Sequence, residues 1–121
     1  MSEDRLNDYL CHMQRASADA CGFVAGMTKG EFLVDKRTQQ AVIMSLVIVG
    51  EAATKTMDRY AAFTQSHPEV PWRSMRGMRN RIAHGYFEIN LDVVWETVQT
   101  ALPELLKQLS VICTRDQDHN E

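Results

Sequence analysis

An arginine and a histidine five positions apart, Arg79 and His84, with a tyrosine two residues further on, stand out in this chain of 121 residues. The stretch reads Arg79-Asn80-Arg81-Ile82-Ala83-His84-Gly85-Tyr86. The spacing alone is common and names no reaction, but the residue types could hold a phosphate and move a proton. One reaction that uses both is cleavage of an RNA phosphodiester by attack of its own 2′-hydroxyl on the adjacent phosphorus. That reaction needs a base for the hydroxyl proton, an acid for the leaving oxygen and positive charge on the phosphate. Histidine, with an unperturbed pKa of about 6.5, gives or takes a proton near neutrality. A positioned acid or base is worth roughly 10²–10⁴ in rate. Arginine stays charged and offers a planar fork of donors that fits phosphate oxygens.

Five residues correspond to about 140° around an ideal helix. The two side chains therefore converge only if the helix loosens before Gly85 or if a second subunit closes the site. A two-fold dimer would bring two of each to one cleft. Arg73, Arg76 and Arg79 turn by about 60° per step around the same helix and would line that cleft as phosphate contacts. Structural readings stand beside these. His84 suits the last turn of a helix, where the dipole favours a cation. Arg79 is a candidate partner for Glu51, a charge on an otherwise apolar helix that should have a partner, and Glu51 would then orient it. Asn80 suits a backbone or side-chain hydrogen bond, or a phosphate contact. Tyr86 reads equally as a half-buried ring. His12, His67 and His119 show no ligand spacing and read as solvated. Trp72 and Trp95 read as core anchors.

The elements that must carry these residues read as helices. Leu6, Leu10, Met13, Ser17, Ala20, Val24 and Met27 are spaced alternately four and three apart, predicting a helix over 3–27 that Thr28-Lys29-Gly30 ends. Asp35 is the expected N-cap of a second helix, with Gln39 close to the position that reaches back to a cap. Val42, Leu46, Val49 and Ala53 form its stripe, widened by Ile43, Val47 and Ile48, so this helix should be central, and it or a short successor should run to about Thr64. Pro71 opens a third helix that Gly85 stops near Ala83 or His84. Asn90 caps a fourth, from Leu91 to Ile112, which Pro103 should kink. With no strand alternation or repeat, the chain reads as an all-α antiparallel bundle of four, at most five, helices. One domain is expected over residues 1–113, with a polar, frayed tail at 114–121.

Composition bounds the rest. Apolar residues make up 45% and charged residues 24% of the chain, an ordinary globular balance. The net charge is −3, but residues 70–87 carry four of the thirteen Lys and Arg and no acid. The remaining nine face all sixteen Asp and Glu, a balance of −7. Two readings fit one basic segment on an acidic body: it steers a polyanion to one place, or its arginines pair with acidic neighbours. Cys11, Cys21 and Cys113 include no C-x-x-C pair, which argues against a disulfide framework and a zinc site. No His, Asp and Glu cluster has ligand spacing, so neither metal nor cofactor is expected. No apolar run reaches membrane length, and the acidic N-terminus is unlike a signal peptide; the cytoplasm is the expected location.

In its context the Arg79–Tyr86 segment resembles the R-x4-H-x-Y motif of HepT toxins within the HEPN class. Trp72, Arg76-Gly77-Met78, Phe87, Asn90 and Val94-Trp95 surround it, and Phe32-Leu33 and Gly50-Glu51-Ala52-Ala53 lie upstream. The resemblance covers about residues 4–112. It implies a homodimeric helical toxin that cuts RNA without metal, using Arg79 and His84. It also implies a minimal nucleotidyltransferase antitoxin as partner, which silences the toxin by AMPylating the tyrosine matched by Tyr86. Adenylyl bulk and charge two residues from the histidine would block an RNA cleft. Two other readings stay open: a non-catalytic HEPN module that binds the nucleotidyltransferase, and a plain dimeric helical protein.

Overall fold

The computed structural model describes the backbone of residues 2–119 and the side chains of residues 5–113. Helix α1 (Ser2–Phe23), α2 (Lys29–Leu33), α3 (Lys36–Arg59), α4 (Ala61–Gln65) and α5 (Trp72–His84) lead to a 3₁₀ turn at Tyr86–Glu88. Helix α6 (Leu91–Glu96), a π turn (Thr97–Ala101) and α7 (Leu102–His119) follow as one column. This is an all-α bundle of four columns. Helix α3 packs between α1 and α5, and α1 also packs on α7. The expected frayed tail at 114–121 lies outside the residues whose side chains are described.

The four-and-three spacing buries what it should. Leu10, Met13, Ser17, Ala20 and Val24 of the first stripe are buried, as are Val42, Leu46, Val49 and Ala53 of α3. Ile48 departs from the expectation: it is 41% exposed, and Met44 beside it 59%. Ile48 and Met44 follow one another on the outer side of α3, so the apolar stripe of that helix is wider than its core face. Trp72 is buried, and its indole nitrogen donates to the His67 carbonyl at 3.0 Å. Trp95 packs on the Phe32 ring at 5.4 Å.

Several boundaries differ from expectation for identifiable reasons. Helix α1 stops at Phe23 rather than Met27, because Gly26 takes a φ of +80°, a left-handed conformation that glycine adopts without strain. Gly30 is not the breaker; it lies inside α2, which a reciprocal capping box of Thr28 and Glu31 starts. Asp35 caps α3 by accepting from the Thr38 amide at 3.1 Å. The Gln39 side chain instead donates to the Phe32 carbonyl. Pro71 sits at the N-cap of α5, one position before the expected one. Around Pro103 the chain widens into the π turn just before the proline, which has no N–H for the preceding carbonyls and whose ring crowds them. No helix among the described residues is long and apolar enough to cross a membrane.

Candidate functional site

Helices α3 and α5 hold the residues singled out by their chemistry, and Gly50 sets how closely the two approach. A Cβ at position 50 would overlap the Arg79 side chain and lie 2.7 Å from the Met75 carbonyl. The absence of a side chain there lets the α5 backbone rest on α3. Arg79 therefore crosses α3 directly. Its Nη2 donates to Thr54 Oγ1 at 3.0 Å, and its Nη1 lies 3.4 Å from Glu51 Oε1. Thr54 Oγ1 in turn donates to the Gly50 carbonyl at 2.8 Å. One turn earlier on α5, Arg76 donates to Asp58 at 3.0 Å. Glu51 and Asp58 are seven residues apart and share one line along α3. The pairing runs 58 to 76 and 50–51 to 79, so the two helices are antiparallel. The exposed Met44 and Ile48 consequently lie toward the His84 end of α5.

The expected Glu51–Arg79 contact is present. Thr54, Asp58 and the close approach at Gly50 were not anticipated. A periodic reading of α3 could have found them, since 51, 54 and 58 recur at helical spacing beside the glycine.

His84 is the last residue of α5 and is exposed, with Gly85 at the C-cap. The helix stays regular through His84, so the loosening that would have let one protomer bring Arg79 and His84 together does not occur. They remain about 140° apart around the helix. Neither lines a described cavity; Arg73 and Arg76 do, in a cleft of 530 Å³ between the end of α3, α4 and the start of α5. Asn80 is exposed. Tyr86 is 45% exposed and stacks edge-on with the fully exposed Phe87.

Among the other expectations, His67 is not solvated. Its ring packs on Phe63 at 4.6 Å and its Nδ1 lies 3.3 Å from Glu69. His12 is exposed, whereas the His119 side chain lies outside the described residues. The thiols are part-buried: Cys21 donates to the Val98 carbonyl and Cys113 to Gln14 Oε1. Burial pushes the Cys21 thiol pKa up. Among the described residues no three His, Cys, Asp or Glu come together as metal ligands.

A family model described as ribonuclease HepT-like matches residues 13–112, which span every element that holds Arg79, His84 and their supports. The chain belongs to the HepT-like ribonuclease family. A Methanocaldococcus jannaschii protein with a provisional RNase name is 38% identical over 93% of the chain and 90% of its own length. A Caldanaerobacter subterraneus relative, provisionally named in the same way, is 33% identical over 90% of the chain and 95% of its own length. A Thermococcus cleftensis protein named as a probable HepT ribonuclease is 44% identical over 62% of the chain and 66% of its own. No solved structure matches. Membership of this HepT-like family makes a nuclease acting on RNA the coarse function, and the all-α bundle is the scaffold it uses here.

Proposed function

We propose that the chain is a metal-independent endoribonuclease and the toxin of a toxin–antitoxin pair. In this reading it works as a homodimer in which Arg79 and His84 act on one phosphodiester. The observation that carries it is the regularity of α5 through His84, which keeps the two groups apart in one protomer. A second copy supplies what one lacks: Arg79 of one protomer meets His84 of the other across a two-fold axis. The exposed Met44, Ile48 and Phe87 give that seam its apolar surface.

The roles follow from the chemistry. Glu51 and Thr54 hold the Arg79 guanidinium against α3, leaving part of its fork for a phosphate oxygen. His84 takes or gives the proton, its exposure leaving the imidazole open to substrate. Arg73 and Arg76 hold flanking phosphates, with Asn80 beside them. A nucleotidyltransferase antitoxin transfers AMP from ATP: the Tyr86 hydroxyl attacks the α-phosphate, its proton leaves to solvent, and pyrophosphate departs. The exposed hydroxyl-bearing ring suits that transfer, and the product places a negative phosphate in the cleft.

The test is RNA cleavage in EDTA by the wild type, Arg79→Ala and His84→Ala. The wild type should cut, and each variant should lose roughly 10²–10⁴ in rate. Equal cutting by all three would refute the assignment. A non-catalytic module that only binds the nucleotidyltransferase predicts a stable complex and no cleavage by any of them.

A further inference from the structure

The cleft of 530 Å³ between the C-terminal part of α3, α4 and the first turn of α5 lies beside the proposed reaction centre without containing Arg79 or His84. Its size falls within the roughly 300–1,000 Å³ of ligand pockets. Two guanidinium groups line it. Arg73 is exposed and has no ion pair or hydrogen bond among the described residues. Arg76 gives one nitrogen to Asp58 and keeps an enclosed, unpartnered Nε at the wall. The Asp58 carboxylate also faces the cleft, and it counts against a bound anion. Its pair with Arg76 is an exposed one, 35% and 62% accessible at the two side chains, and such pairs are weak. A guanidinium has five N–H donors in a fork, so a phosphate can share it. Met57, Pro68 and Pro71 add apolar surface to the lining, and the exposed Gln65 also lines the cleft.

We propose that this cleft is a single-nucleotide subsite, holding one phosphate of the RNA strand on Arg73 and Arg76 and the attached base against Met57, Pro68 and Pro71. The Gln65 amide, with both donors and an acceptor, meets the base edge and makes the subsite selective. The inference rests on the ribonuclease reading and adds where the strand goes and what reads it. Arg73, Arg76 and Arg79 rise about 4.5 Å along α5 per step, so a strand anchored at Arg79 continues into the cleft. The acidic balance of the rest of the chain discourages other paths for a polyanion.

The experiment measures binding of 2′-O-methyl oligonucleotides of A, C and U to the full chain by fluorescence anisotropy over a salt series. The proteins are wild type, Arg73→Gln, Gln65→Ala and, as control, Lys36→Gln. Lys36 is exposed and lies about 30 Å along α3 from Met57 at 1.5 Å per residue. Arg73→Gln should weaken all three polymers several-fold and reduce the salt slope by about one. Gln65→Ala should keep the salt slope and flatten the preference among polymers that the wild type shows. Lys36→Gln should bind as wild type. Unchanged binding by Arg73→Gln, an unchanged preference in Gln65→Ala, or a wild type without preference overturns the subsite. Both changed residues are exposed, so folding, checked by circular dichroism, is retained. The methylated strand lacks the attacking hydroxyl and cannot be cut by this chemistry. Binding is thus read whether or not the chain is a nuclease, and a chain that shows these changes but never cleaves natural RNA counts against catalysis alone.

Discussion

Glu51 and Thr54 both contact the Arg79 guanidinium from α3, a hydrogen bond at 3.0 Å to Thr54 Oγ1 and an ion pair at 3.4 Å with Glu51. The Glu51 pair is half exposed, so its stability value is about 0–1 kcal/mol. Glu51→Gln should therefore change thermal stability little while lowering cleavage, because the arginine loses the partner that aims it. Melting curves beside cleavage rates separate the two effects; a variant that cuts at the wild-type rate would show that Glu51 is only structural. Arg79→Lys tests the fork itself. Lysine keeps the charge but loses the planar, two-pronged donor geometry, so most of the activity should go. This residue-level pairing was partly legible in the sequence. A lone carboxylate on an apolar helix needs a partner, and Arg79 was a candidate for that partner. Thr54 and Asp58 were not read, because a threonine or aspartate inside a helix looks like surface until the partner helix is known.

At the scale of elements, the approach of α3 and α5 depends on Gly50. Gly50→Ala puts a methyl against the Arg79 side chain and the Met75 carbonyl, so the helices must part. The expected cost is about 1–3 kcal/mol, typical of overpacking, with a larger loss of cleavage as Arg79 moves off Thr54. Chemical denaturation and cleavage assays check both; a variant of wild-type stability would mean the contact yields freely. The cap of α3 gives a pH dependence. Hydrogen bonds from the backbone and then the side chain of Thr38 hold the Asp35 carboxyl below its ordinary pKa. A depressed acid contributes stability above its unfolded pKa and loses it as pH falls through the folded value. Asp35→Ala should thus lower the melting temperature at neutral pH, and the difference should shrink in acid. The helices and caps were readable because periodicity, Asp35 and Asn90 act locally. The end of α1 was not, since either Gly26 or Gly30 could turn the chain and only packing selects between them. The end of α5 near His84 before Gly85 was legible, but whether its last turn loosens was not, since a glycine after a histidine permits loosening without requiring it.

For the whole molecule, one protomer holds Arg79 and His84 apart, and Met44 and Ile48 on α3 and Phe87 after α5 are exposed. Phe87 is fully exposed and Ile48 41% exposed, side chains a lone bundle gains nothing by presenting. Ile48→Glu and Phe87→Glu should shift sedimentation from dimer to monomer and abolish cleavage, with helical content unchanged. In the sequence the 140° separation left either a loosened helix or a second subunit, and the dimer itself came from the family resemblance. The exposed Met44 and Ile48 could be placed toward the His84 end only once α3 and α5 were paired. The decisive measurement is complementation between two inactive chains. Arg79→Ala and His84→Ala proteins are unfolded and refolded together in equal amounts, and RNA cleavage in EDTA is followed. Two-fold pairing makes about half the dimers mixed, each with one intact composite site, so about a quarter of wild-type activity should return. Activity no greater than that of the separate variants, with mixed dimers shown to be present, would contradict a site shared between two copies.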